Sequence, residues 1–128
     1  MIPDRIIEQG TLRTAGSRAS VEVRLPWYRA LPGSSVSEAS LAIDGVAAES
    51  LTWSMNGREY RLEELADELE EWWFPTDSVV LSGEVAVSDA AEHTVDVELK
   101  LYIPYIVTDH GVLRIEEHDS KTMKVVSR

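Results

Sequence analysis

The chain has 128 residues and no cysteine, long enough for one hydrophobic core but excluding a disulfide framework, a thiolate nucleophile and a Cys-type zinc site. Its 12 Lys and Arg face 23 Asp and Glu, a net charge of −11, so its field repels phosphate backbones and anionic lipid and argues against nucleic-acid or membrane partners. The composition is that of a folded globular chain, read as a single domain over residues 1–128 rather than a multi-domain enzyme.

Asp4, Arg5 and Glu8 interrupt the first ten residues before the apolar stretch of a secretory signal can form. The longest apolar run, residues 101–107, contains Pro104 and falls far short of the roughly 20 residues a spanning helix needs. A soluble, cytoplasmic protein is expected.

Period-two alternation begins at residues 20–25, where Val21, Val23 and Leu25 face one way. It resumes over residues 38–44, with Ala39, Leu41 and Ile43 inward, and stops at the Asp44-Gly45 turn. Asn56-Gly57, inside residues 51–60, predicts a tight hairpin, because both residues tolerate positive φ. The period then lengthens: Leu62, Leu65, Ala66, Leu69 and Trp72 or Trp73 recur at helical spacing, predicting one helix over about residues 62–73 that Pro75 stops. Glu63, Glu64, Asp67, Glu68, Glu70 and Glu71 occupy its outer face. The acids of its last turn oppose the helix dipole, so packing must hold it.

Beyond it, Val79, Leu81, Val85 and Val87 share a strand face, with Gly83 marking a bulge. The clearest alternation is in residues 93–103, where Val95, Val97, Leu99, Leu101 and Ile103 oppose Thr94, Asp96, Glu98, Lys100 and Tyr102. Residues 121–128 read as a loosely docked or frayed tail. Turn residues punctuate the remainder at sandwich spacing. The predicted architecture is mainly β: a two-layer antiparallel β-sandwich with one short inserted α-helix.

His93, His110 and His118 lie near Asp89, Asp109, Glu116, Glu117 and Asp119, but the spacing matches no ligand pattern. They read as solvated histidines at a strand start, in a turn and on a polar stretch. Glu63-Glu64, Glu70-Glu71 and Glu116-Glu117 are adjacent pairs whose members diverge in regular structure, which makes them poor acid/base dyads. No nucleophile elbow or phosphate loop occurs. Neither a catalytic residue nor a metal ligand is therefore expected on this chain.

Residues 25–32, Leu25-Pro26-Trp27-Tyr28-Arg29-Ala30-Leu31-Pro32, form a strand exit holding two prolines, two aromatics and an arginine. Proline rigidifies it, and Trp, Tyr and Arg are the side chains of interface hot spots and ring-stacking pockets. An aromatic corner packed on its own core is the competing reading. Pro104 and Tyr105, in residues 103–106, have the same character and extend the candidate rim. The candidate partner-interface or substrate-rim residues are Trp27, Tyr28, Arg29, Pro32 and Tyr105.

In order, the chain carries RLPWYRALP (24–32), SLAIDG (40–45), MNGREYRLEEL (55–65), EWWFPTD (71–77), EHTVDVELKL (92–101) and IPYI (103–106). This series resembles the small, or beta, subunit of bacterial C-glycoside deglycosidases. The resemblance implies a hetero-oligomer that breaks the carbon–carbon bond of 3-oxo-C-glycosides carrying flavonoid-type aglycones. It implies a large, or alpha, subunit that resembles sugar-phosphate isomerase barrels and holds both the base and a divalent metal of the Mn or Mg type, leaving this chain without a cofactor and inactive by itself. Three other readings stay open from the residues: a free-standing carbohydrate-binding sandwich, a structural subunit remote from substrate, and a hydrolase built on Asp109 and His110.

Overall fold

In the computed structural model, which describes residues 6–27 and 29–126, the alternating segments become two antiparallel sheets facing one core. Eleven strands occur among the described residues: β1 (Arg13–Ala15), β2 (Arg18–Arg24), β3 (Leu31–Pro32), β4 (Val36–Ile43), β5 (Val46–Ala47), β6 (Glu49–Met55), β7 (Arg58–Arg61), β8 (Trp72–Trp73), β9 (Ser78–Glu84), β10 (His93–Thr108) and β11 (Gly111–Met123). One sheet has the order β1-β2-β9-β6-β7 and the other β11-β10-β4-β5, while β3 and β8 form a separate two-stranded ladder. The fold is mainly β and sandwich-like, as the alternation required.

Side chains expected inward are inward. Val21 and Val23 of β2, Val79 and Leu81 of β9, Leu41 and Ile43 of β4, and Val95, Val97, Leu99, Leu101 and Ile103 of β10 are all buried. Asn56 adopts φ 54° and Gly57 φ 79°, the positive values that a tight hairpin between right-twisted strands demands. They join β6 to β7, with Met55 opposite Arg58.

The segment expected as an α-helix over residues 62–73 is shorter and differently wound. A 3-10 helix, Leu62–Asp67, ends at Glu68, whose backbone is extended. The Glu68 carboxylate accepts the N–H groups of Glu70 and Glu71 and the hydroxyl of Tyr60, the last at 2.7 Å. Those bonds replace the helical ladder. The chain then becomes β8, with Trp73 opposite Leu31 and Trp72 opposite Pro32. Buried Trp73 meets Trp53 edge to face, 5.0 Å between ring centres at 87°, a favoured aromatic geometry. Tertiary pairing therefore outweighs a helix already weakened by acids at its end.

Three further expectations need correction. The bulge foreseen at Gly83 lies on the strand across from it: the β6–β9 register shifts between Glu49 and Thr52, and Ser50 takes φ 52°. Gly83 is where the bulged strand closes in, since a Cβ there would sit 2.6 Å from Leu51 and 2.8 Å from Ala48. The first three residues of the expected loose tail, Lys121, Thr122 and Met123, are the end of β11. The backbone continues to Val126, whose N–H donates to the Leu12 carbonyl at 2.9 Å. Val85, foreseen in the same strand as Val79, is buried just beyond the end of β9, its N–H bonded to Ser17.

The N-terminal segment closes the side of the sandwich between β2 and β11. Ile7 bridges to Val23, and the buried Asp119 carboxylate of β11 accepts the N–H groups of Ile6 at 3.1 Å and Ile7 at 2.9 Å. Lys121 Nζ is 2.8 Å from the same oxygen. One side chain thus joins the two sheets across their neighbouring edges.

Candidate functional site

The candidate rim begins where β2 ends. Pro26 is buried and fixes the exit of the chain, since its ring locks φ. Trp27 packs half-buried against the core, and its indole N–H donates to the hydroxyl of Tyr105. The Arg29 guanidinium carbon stands 5.3 Å from the centre of the Tyr105 ring, within cation–π range. Two segments far apart in sequence, the β2 exit and the bulged part of β10, therefore converge on one aromatic ring. Tyr28 lies outside the described residues. Pro32 is brought to a different wall, opposite Trp72 in the β3–β8 ladder.

Tyr105 reaches this position through a break in the β10–β11 ladder. Ile103 is opposite Leu113 and Val107 is opposite Val112, leaving residues 104–106 without partners on β11. Pro104 has no N–H to contribute to a ladder, and a bulge re-aims the side chains it carries. Tyr105 is 45% exposed, so its ring presents one part to Trp27 and Arg29 and another to solvent. Beyond Leu101, opposite Val36, β10 pairs with no strand on its β4 side among the described residues. The two strands continue as a free hairpin arm.

Around this rim, tight polar contacts hold the chain at the same end of the sandwich. Gly33 N–H donates to the Glu71 carbonyl and Ser34 N–H to the Glu68 carbonyl, both at 2.9 Å. Asn56 Nδ2 donates to the Glu71 carboxylate at 3.1 Å and to the Trp72 carbonyl at 3.2 Å. The Tyr60 hydroxyl and the Glu70 and Glu71 N–H groups hold the Glu68 carboxyl below its ordinary range. Burial, together with Glu68, raises the Tyr60 phenol. The pair stays in its hydrogen-bonded form at neutral pH and braces the turn before β8.

Several exposed apolar residues at this end escaped the sequence reading: Leu69, Trp72 and Phe74 around β8, and Val107 and Val112 on the arm. Adjacent tryptophans in a strand must point to opposite faces, a signal that one of Trp72 and Trp73 would be outward. The only local hint of β11 was Leu113 and Ile115 on either side of Arg114.

The histidines are not brought together. His93, expected to be solvated, is buried, with Nδ1 2.7 Å from the Asp44 carboxylate. That contact and the Thr94 N–H lower the Asp44 carboxyl. His118 on β11 lies 3.4 Å from Asp96, and His110 occupies the turn at the arm tip. Among the described residues no group of three His, Asp or Glu side chains is arranged to hold a metal ion. No described helix is long and apolar enough to cross a membrane.

Residues 6–105 match the family described as C-glycoside deglycosidase beta subunit. A C-glycoside deglycosidase beta subunit of Arthrobacter globiformis is 64% identical over 131 aligned positions, covering all of both chains. One from Microbacterium trichothecenolyticum is 62% identical over 99% of each. A 3'-dehydrocarminate deglycosidase beta subunit of a Microbacterium species is 35% identical, covering 98% of this chain and 96% of its own.

Proposed function

Because the chain belongs to the C-glycoside deglycosidase beta-subunit family, we propose that it completes a hetero-oligomeric carbon–carbon lyase acting on 3-oxo-C-glycosides with flavonoid-type aglycones. The partner is a large subunit resembling sugar-phosphate isomerase barrels, and the complex is cytoplasmic. The reaction is an elimination. A ketone at C3 of the sugar acidifies the C2 hydrogen, a base on the large subunit removes it, and the electron pair moves into an enolate. The aglycone then leaves C1 with the bonding electrons and is protonated on its ring carbon. A divalent cation of the Mn or Mg type, held by the large subunit, supplies charge stabilisation for that enolate. The described donors do not fit such an ion: buried His93 is committed to Asp44 at the surface, and no group of three His, Asp or Glu side chains is arranged to hold one.

The chain's own contribution is to the walls of the site. The Tyr105 ring, fixed by the Trp27 indole and the Arg29 guanidinium, supplies a rigid aromatic surface with a cation over one side of it. Such a face stacks on a flat phenolic aglycone. A protein rim over the reacting sugar also keeps water from the enolate. No side chain of this subunit acts as acid or base.

The observation that carries this reading is the convergence of Trp27, Arg29 and Tyr105 on a half-exposed ring, in a chain whose relatives are enzyme beta subunits. Its test is Trp27→Ala combined with Arg29→Ala, co-produced with the large subunit and assayed for assembly and for turnover of a 3-oxo-C-glycoside. Loss of about tenfold or more in either is expected for a hot-spot pair. Assembly and turnover both at wild-type level overturn the assignment of the rim.

A further inference from the structure

Nine large apolar side chains are exposed among the described residues, and six of them belong to one end of the sandwich: Leu69, Trp72, Phe74, Tyr105, Val107 and Val112. They come from two chain segments. Trp72 is in β8, and Leu69 and Phe74 lie on either side of it; Asn56 ties Trp72 to the β6–β7 turn, and the Gly33 N–H holds Glu71 just before the strand. Tyr105, Val107 and Val112 lie on the hairpin arm that β10 and β11 extend past the last β4 partner. Val107, at 75% exposure the most open of all, stands directly opposite Val112. An apolar arm with unpaired strand edges is an aggregation hazard unless something covers it.

The charges around these residues restrict what that cover is. Arg58 is matched by Glu68, and Arg61 by Glu63 and Glu64. Arg29 and Arg114 lie over the Tyr105 and Tyr102 rings. Asp67, Glu70 and Asp77 are exposed and form no ion pair among the described residues. Arg29 and Arg114 keep their charge over those rings, but the three exposed carboxylates outnumber them and Arg61 faces two acids, so the surface is an apolar centre with a net acidic rim, on a chain of net charge −11. A second copy would bring like charges together around the same centre, which disfavours self-association.

We infer that this end of the sandwich, with the arm tip Val107–Val112 pair and the Leu69, Trp72 and Phe74 segment, is the surface that docks on the large subunit, against an apolar patch rimmed by Lys or Arg. The inference rests on the proposed function and names the face on which it operates. Docking there places the Tyr105 rim inside the assembled complex, where it can meet substrate.

The test substitutes Val107→Asp and Phe74→Asp, singly, and compares them with Val46→Asp, which puts the same charge on an exposed valine at the far end of the sandwich. Each full chain is co-produced with the large subunit, and the heteromer is quantified by size-exclusion chromatography and native mass spectrometry. Val107→Asp and Phe74→Asp should weaken assembly about tenfold or more, because each buries an unmatched charge at the centre of an interface. Val46→Asp should assemble like wild type. Asp67→Asn with Glu70→Gln, which leaves the apolar centre untouched, should slow association several-fold and flatten its salt dependence. Assembly of Val107→Asp and Phe74→Asp at the Val46→Asp level overturns the inference while leaving the proposed function standing. So does a homodimer of the wild-type chain that these same substitutions dissociate. A wild-type chain that does not assemble with the large subunit at all overturns the proposed function itself.

Discussion

Asp119→Ala is expected to cost about 2–4 kcal/mol of stability, although the residue lies outside the candidate rim. Its carboxylate holds the N–H groups of Ile6 and Ile7 at 3.1 and 2.9 Å, and both of those residues are buried, at 0% and 3% exposure. Removing the acceptor leaves two backbone donors with no partner, each costing about 1–3 kcal/mol. Relief of the buried carboxylate offsets part of this. Asp119→Asn keeps an accepting oxygen but loses the charge, and a smaller loss of about 1–2 kcal/mol is expected. Burial raises the Asp119 carboxyl, but Lys121 and the Ile7 and Ile6 N–H groups pull it down further, so it sits below its ordinary 3.8. A lowered folded-state value means that the stabilisation is complete above the unfolded value and disappears as pH falls through the folded one. The gap between wild type and Asp119→Ala in urea unfolding should therefore be full at pH 7 and shrink below pH 3.8. Amide exchange should show Ile6, Ile7 and Glu8 opening first in the variant. A midpoint unchanged within about 0.5 kcal/mol, or exchange at Ile6 and Ile7 as slow as in wild type, refutes the reasoning.

Other outcomes follow from the same structure. Tyr105→Phe keeps the ring under Arg29 but leaves the Trp27 N–H without its acceptor; it should lower turnover of the complex less than Tyr105→Ala, which removes both contacts, and equal effects would contradict the stacking role. Gly83→Ala drives a methyl to within 2.6 Å of Leu51 and should destabilise by about 1–3 kcal/mol, read as a lower thermal midpoint. Trp73→Ala removes a fully buried ring from its contact with Trp53 and should cost about 3–5 kcal/mol, with loss of the near-ultraviolet dichroism of the tryptophan pair. Asp44→Asn should make the thermal midpoint less sensitive to acid, because the His93 contact and the Thr94 N–H hold that carboxyl low; an unchanged acid profile would count against it.

The strands were legible wherever one face is purely apolar. Val95 to Ile103 alternates without exception, and every inward member is buried. β11 was not, because its inner face carries Glu117, Asp119 and Lys121, charged residues that break an apolar alternation. Asp119 is buried because its backbone partners lie 113 and 112 residues away, a fact no local pattern contains. The helix expected over residues 62–73 fits Leu62 and Leu65, whose spacing suits a 3-10 turn equally; what ended it was the capture of N–H groups by Glu68. Burial raises the Glu117 carboxyl on the same face of β11 as Asp119, again invisible from spacing. At the rim, the meeting of Trp27 and Arg29 with the Tyr105 ring depends on the bulge at Pro104, a contact across 78 residues that no local pattern contains. The apolar end around Phe74 and Val107 stayed hidden, since exposure of an apolar residue is a property of the fold.

The most direct test of the central claim is reconstitution. The purified chain and the large subunit are assayed separately and after mixing, with a 3-oxo-C-glycoside as substrate and native mass spectrometry on the same samples. The account predicts no turnover from this chain alone, and a heteromer whose appearance coincides with full activity. A large subunit fully active by itself, with this chain remaining free in the mixture, would contradict it.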